Sequence, residues 1–367
     1  MTDLGDGPTE LESRAERRRS VALFAATFAC VYLVYGFQWA GGNPLTEADA
    51  AWAATQFAVA LMAILLSHEM AHYWVAKAHG FALSLPYFLP FPAAFGTFGA
   101  IIRLRSLPKT RTGLLEMGAA GPLAGFLVAV LAIGLGLPAT QEHAAPQLLW
   151  DPAVLDALAV PVEPATGILA VLEAAMGWLG ADVNPVEVPL MILANPPIMD
   201  LLGEAVMGQA PSRYATLDPL ATAGWVGCLL TAINLVPIGQ LDGGHIVNAI
   251  APRHAAWISR VLLGVAIGAG LLWTGWAFWA ILLLIMGAWV SLPVPEAPPL
   301  TVRAKVVAAV TAVTFGLSFM PAPIVLEAFP IAELGWVDED GSPIGAETRA
   351  ALEQALSDRL AAEASGR

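Results

Sequence analysis

Two histidines four residues apart, His68 and His72, flank a carboxylate at Glu69 inside an otherwise apolar stretch. On a helix, positions i and i+4 share a face, so both imidazoles can bind one metal ion, and Glu69 can reach a water activated by that metal. That is the geometry of metallopeptidase hydrolysis. Residues 56–66, just before the motif, carry no charge, which puts this chemistry at membrane depth. Burying two imidazoles and a carboxylate in lipid costs several kcal/mol unless they bind something or one another. The cost favours a metal site over a chance match.

A catalytic zinc takes three protein ligands and keeps a further position open, so one ligand is still to be found. Asp242 is the best candidate. It lies in Asn234-Leu235-Val236-Pro237-Ile238-Gly239-Gln240-Leu241-Asp242-Gly243-Gly244-His245, directly after another apolar run. The competing reading makes Asp242-Gly243 a turn that caps a helix starting at His245. Depth favours the ligand: the runs from Ala51 and Leu220 both head toward the basic side and both carry ionisable residues near that end. His245 is the substitute for Asp242. His79 suits a helix C-terminus, where a cation meets the negative dipole, and His143 and His254 fall in polar connections.

The elements that must position these groups are membrane helices. Hydrophobic residues make up 57% of the chain and charged residues 13%, the composition of a polytopic membrane protein. Apolar runs cover residues 21–40, 51–78, 114–137, 220–236, 255–272, 276–290 and 306–326. A hydrocarbon core needs about 20 residues, so the expected fold is all-α with six or seven transmembrane helices. After the second helix, residues 81–112 are rich in Pro and Gly, and Ile102-Arg103-Leu104-Arg105 alternates with period two. That pattern predicts a short β-hairpin or re-entrant loop near the membrane surface, with residues 101–105 as a strand edge for substrate. Gly118, Gly121 and Gly125, with Pro122, form a small-residue face read as helix packing. Glu116, early in the same helix, reads as structural.

The formal charge of −13 argues against a nucleic-acid partner. Basic residues collect at Arg14, Arg17, Arg18 and Arg19, at Arg103, Arg105, Lys109 and Arg111, at Arg253 and Arg260, and at Arg303 and Lys305. The positive-inside rule places these in the cytoplasm or an equivalent compartment and the acidic segment 139–218 on the other side. The opening residues are acidic before the arginines, unlike a cleaved signal or transit peptide, so the first run reads as a retained anchor and the N-terminus as cytoplasmic. Cys30 and Cys228 each lie in an expected span and support no disulfide framework. The expected organisation is a polar tail (1–20), a membrane domain (21–292, core 51–251, acidic insert 139–218), a linker and possible last helix (293–326), and a polar tail (327–367). Within the insert, residues 168–179 and 189–202 read as short helices or re-entrant pieces, and 347–364 reads as an amphipathic helix.

His-Glu-x-x-His in one span, paired with a distant Asn-x-x-Pro-x-x-x-Leu-Asp-Gly, resembles the site-2 protease family of intramembrane zinc metalloproteases. Gly96-Thr97-Phe98-Gly99-Ala100-Ile101, Ala120-Gly121-Pro122 and the stretch from Leu217-Asp218-Pro219 to Asp242-Gly243-Gly244 resemble its chloroplast-type branch and prokaryotic relatives. The likeness covers residues 51–251. It implies one zinc per chain held by His68, His72 and Asp242, with Glu69 as general base and acid and Asn234 holding substrate or the oxyanion. It also implies transmembrane protein substrates, a lipid bilayer as surroundings and, with the prokaryotic relatives, a cytoplasmic membrane. Where many members carry a polar residue after Gly-Pro-x-x, this chain has Gly125. Two other classes fit the ligands: a non-proteolytic metal-binding chaperone or scaffold, and a metal transporter. Glu69 beside an open metal position argues against the first, and the lack of two related halves argues against the second.

Overall fold

Among the described residues, three helices are long and apolar enough to cross a membrane: residues Arg14–Gln38 within α1 (Glu10–Gln38), α2 (Ala48–Ala78), and Arg111–Ala139, which contains α3 (Arg111–Gly136). The computed structural model describes residues 10–106, 108–149, 187–270, 274–285, 298–330, 334–337 and 343–364. Further helices follow: α4 (Pro197–Met207), α5 (Pro219–Leu235), α6 (Asp242–Ile250), α7 (Ala255–Ala269), α8 (Thr274–Ile285) and α9 (Val302–Ser318). Thr110, Asp218 and Thr301 start α3, α5 and α9, each accepting a hydrogen bond from a first-turn backbone N–H.

The first compact unit comprises Met1–Thr140, Asn195–Ala210 and Leu217–Pro321. At its centre α3 lies against α2, α5 and α6, while α2 also packs on α1 and α5. Small residues allow this approach. A methyl on Gly224 of α5 would lie 2.5 Å from the Ile133 side chain, and one on Gly227 would lie 2.8 Å from Ala129. Lipid gives helices no hydrophobic drive toward one another, so close backbone packing has to supply the attraction.

An antiparallel hairpin, β1 (Tyr87–Pro90) and β2 (Thr97–Ile101), follows α2. It runs alongside α1 for most of the apolar length of that helix. Its base is tied to the start of α1, where Ser20 Oγ donates to the Pro86 carbonyl at 2.7 Å and Glu16 pairs with Arg105 at 2.9 Å. Farther along, the Phe24 and Phe88 rings meet edge-on, and Gly96 lies so close to Val31 that a methyl would sit 2.4 Å from its Cα. At the tip, Trp39 Nε1 donates to the Ala94 carbonyl at 3.1 Å. From Ser20 to Trp39 is roughly 28 Å at a helical rise of 1.5 Å per residue, close to the full hydrocarbon thickness of about 30 Å. The alternating residues 102–105 extend the base, with Leu104 bridging to Leu83. Among the described residues no third strand covers the outer edge of β2.

The second unit, Gln141–Ala194, Pro211–Thr216 and Ala322–Arg367, departs from the all-α expectation. Strands β3 (Gln147–Leu149) and β6 (Gly335–Val337) pair in parallel, and β4 (Glu187–Leu193) pairs antiparallel with β5 (Ile324–Pro330). The segment read over 189–202 as a short helix or re-entrant piece therefore divides into strand β4 and helix α4. The apolar run at 306–326 likewise divides into α9 and the start of β5. No local window shows this, because each strand's partner lies more than a hundred residues away. Ile192, Phe329, Leu334, Trp336, Ile344 and Leu352 form a small core, the last of them from α10 (Ala346–Ala364). The piece read at 168–179 lies outside the described residues.

Candidate metal centre

Helical spacing brings His68 and His72 to one face of α2, and Asp242 reaches them from the first turn of α6. The connection is short. Val236 is extended before Pro237, as a residue preceding proline prefers, and Gly239 takes a left-handed backbone (φ 52°) that reverses the chain. A methyl on Gly243 would lie 2.1 Å from the Leu235 carbonyl oxygen, and one on Gly244 would lie 2.3 Å from that of Gly239. The Asp-Gly-Gly run is thus fitted against the end of α5. The helix starts at Asp242 and not at His245, and the Asp242 carboxylate turns toward the histidines.

The three ligand atoms form a nearly equilateral triangle. His68 Nε2 and His72 Nε2 are 3.1 Å apart, and Asp242 Oδ2 lies 3.3 Å from the first and 3.2 Å from the second. A tetrahedral ion with bonds of 2.0–2.1 Å has ligands separated by roughly 3.3 Å, so the donors fit zinc in both type and spacing. The tautomer of His72 agrees, since its Nδ1–H donates to the Met117 carbonyl at 2.7 Å and leaves the Nε2 lone pair facing the triangle. Glu69 is buried beside the three and interacts electrostatically with each, and among the described residues its side chain has no hydrogen-bond partner in the protein. Asn234, half-buried on the last turn of α5, makes no hydrogen bond to His68, His72 or Asp242. His245 belongs to α6 but is not one of the three grouped ligands.

The glycine face of α3 contributes more than helix packing. A methyl on Gly121 would lie 2.0 Å from His72 Nε2, one on Gly125 would lie 3.3 Å from His68, and one on Gly118 would lie 3.1 Å from the Asp242 carbonyl oxygen. Each of the three glycines thus lies against one residue of the His68, His72 and Asp242 group. Sequence reasoning missed this, although their repeat at three and four residues, opposite a helix bearing His-x-x-x-His, was the available signal. Glu116, read from the sequence as structural, pairs with two partners that were not foreseen: His79 Nε2 at 3.0 Å and Arg303 Nε at 3.3 Å.

A membrane-helix bundle that closes two histidines, an aspartate and an adjacent glutamate around one point has the make-up of a membrane-embedded metallopeptidase. The chain matches peptidase family M50 over residues 56–274 and belongs to that family. It is similar to the probable zinc metalloprotease EGY1, chloroplastic, of Arabidopsis thaliana, with 29% identity over 63% of this chain and 36% of that protein. It is also similar to the probable zinc metalloprotease EGY2, chloroplastic, of Oryza sativa subsp. indica, with 30% identity over 62% of this chain and 35% of that protein. The chain thus spans about a third of the length of these relatives. No solved structure matches it.

Proposed function

We propose that the protein is a zinc-dependent intramembrane endopeptidase that cuts membrane proteins within or near their transmembrane segments. The observation that carries this reading is the ligand triangle of 3.1–3.3 Å edges with Glu69 buried beside it. When bound, zinc would polarise a peptide carbonyl and make a water acidic enough to ionise near neutral pH. His68 and His72 present neutral nitrogens, Asp242 supplies the anionic donor, and the Met117 carbonyl holds the His72 ring in place. Glu69 takes the proton of the attacking water and passes it to the leaving amine. Asn234, on the last turn of α5, donates to the substrate or its oxyanion. A proteolysis assay on wild type and Glu69→Gln, run with proteomics of membrane-protein fragments, tests the reading. Fragments that appear equally with both proteins would defeat it.

The outer edge of β2 is the place we assign to the unwound substrate. A transmembrane helix hides its carbonyls in its own hydrogen bonds, and strand pairing replaces those bonds as the helix opens. Helix-weakening residues near the cut should therefore help, by about 1 kcal/mol for Gly and about 3 for Pro. Replacing them with Leu in a cleaved substrate should slow the reaction several-fold or more. An unchanged rate with unchanged binding would remove unwinding as the discriminating step.

For topology we propose a cytoplasmic N-terminus, with the basic segments on the same side and the acidic insert opposite. Because β4 and β5 pair along their whole length, the insert and the segment after α9 share one side. The two ends of the chain then lie on opposite sides, which requires an odd number of crossings. Seven meets that requirement, with α5, α7, α8 and α9 joining the three long helices. In a background lacking Cys30 and Cys228, Glu142→Cys and Ala346→Cys should label from the side opposite to Lys109→Cys. Labelling of Ala346→Cys and Lys109→Cys from one side would overturn the scheme.

A further inference from the structure

Helix α4 is too short to cross a membrane. Its 11 residues span roughly 16 Å at a rise of 1.5 Å per residue, against a hydrocarbon core of about 30 Å. Both of its ends are fixed: Pro196 and Pro197 start it, and Gly208 stops it in a left-handed backbone (φ 78°). It packs against α3, against the 3₁₀ turn Leu137–Ala139 that ends α3, and against α9. That places it at the end of α3 farthest from Arg111.

Residues one turn apart sort α4 into three faces. Met199 and Gly203 are buried. Asp200 and Glu204 form a polar strip, and Leu201, Ala205 and Val206 lie open, Leu201 with 55% and Val206 with 47% of its surface exposed. The helix therefore carries a second apolar face beyond the one it packs on the protein. The helices it rests on carry similar surface: α3 exposes Leu127, Leu131 and Leu135, one every turn toward this end, and α9 exposes Val306, Val310 and Val313. Apolar stripes on helices of membrane-spanning composition are the surface that lipid covers.

We propose that α4 is an interfacial helix resting in one leaflet of the bilayer, with Leu201, Ala205 and Val206 among the first acyl carbons and Asp200 and Glu204 toward headgroups and water. A second copy of the chain is the other class of partner for an apolar face. Lipid is favoured because the stripe on α3 leads to α4, so the lipid that covers the one already adjoins the other. The polar strip is acidic, which gives anionic headgroups no attraction. Insertion rests on apolar contact alone, and a zwitterionic phospholipid supplies it.

The proposal rests on the membrane setting of the chain and not on its protease activity. Full-length protein lacking Cys30 and Cys228 would carry a fluorophore at Leu201→Cys, Val206→Cys, Glu204→Cys or Leu127→Cys and be placed in phosphatidylcholine vesicles. Quenching would be read with a nitroxide on the acyl chain near the headgroup, with one near the chain end, and with aqueous iodide. The Leu201 and Val206 labels should be quenched several-fold more by the shallow nitroxide than by the deep one and be shielded from iodide, as an in-plane helix at the headgroup boundary requires. The Glu204 label should respond to iodide instead, and the Leu127 label, within α3, to the deep nitroxide. Iodide reaching the Leu201 and Val206 labels as readily as the Glu204 label would overturn the proposal. So would shielding of those two from iodide and from both nitroxides, the result expected of a second copy of the chain. A Leu127 label that answers to neither nitroxide would overturn the membrane setting, and the proposal with it.

Discussion

Glu69→Gln is expected to lower proteolysis by on the order of 10²–10⁴-fold, the usual contribution of a positioned general acid–base, while leaving zinc bound and the fold intact. The amide is nearly the same shape as the carboxylate but cannot accept a proton. Glu69 lies on α2 beside both histidines yet is not one of the three grouped ligands, so the substitution leaves the ligand triangle untouched. Burial strengthens the expectation, since among the described residues no protein group competes for the Glu69 side chain. The measurement is a single-turnover cleavage rate together with metal content for each protein. Activity within about tenfold of wild type would remove Glu69 as the proton carrier, and loss of zinc would reassign it to the metal.

The parts of this molecule legible in its sequence are those governed by local periodicity. His68 and His72 announce themselves because a four-residue spacing has one meaning on a helix, and the uncharged run before them states the depth. Asp242 was legible through depth, an unfilled ligand position and the Asn-x-x-Pro-x-x-x-Leu-Asp-Gly pattern that ends on it. What brings it to the histidines is a set of close backbone contacts, Gly243 on Leu235 and Gly244 on Gly239, that no spacing rule reveals. Strand pairing was the least legible feature. The alternation at residues 102–105 pointed to a hairpin, but its course along α1 depends on contacts spread from Ser20 to Trp39. The pairing of β4 with β5 joins segments some 130 residues apart in sequence, across stretches that read as helices when taken alone. Glu116 shows a subtler gap: its position on α3 was clear, but its partners are His79, just past the end of α2, and Arg303 on α9.

Gly121→Ala should cost the protein its metal, although alanine is the best helix former and α3 would accept it without backbone strain. The added methyl would stand 2.0 Å from His72 Nε2, with the ring atoms Cδ2 and Cε1 at 2.4 and 2.6 Å. The helix cannot yield easily, because α3 is wedged between α2, α5 and α6. The imidazole must therefore move, giving up both its bond to the Met117 carbonyl and its corner of the triangle. Losing the orienting bond alone costs about 10–100-fold in metal affinity, and displacing the donor atom adds to that, so the loss should be at least about 100-fold and match that of His68→Ala, His72→Ala or Asp242→Ala. Gly125→Ala is the informative contrast. Its methyl would meet His68 at 3.3 Å, a distance that a few tenths of an ångström of adjustment can absorb, so zinc should stay bound. Metal content and affinity of the five variants, read beside their helical content, would decide the matter. Wild-type affinity in Gly121→Ala would mean that His72 is not held against α3 as described, and full retention in Asp242→Ala would remove that residue from the ligand set.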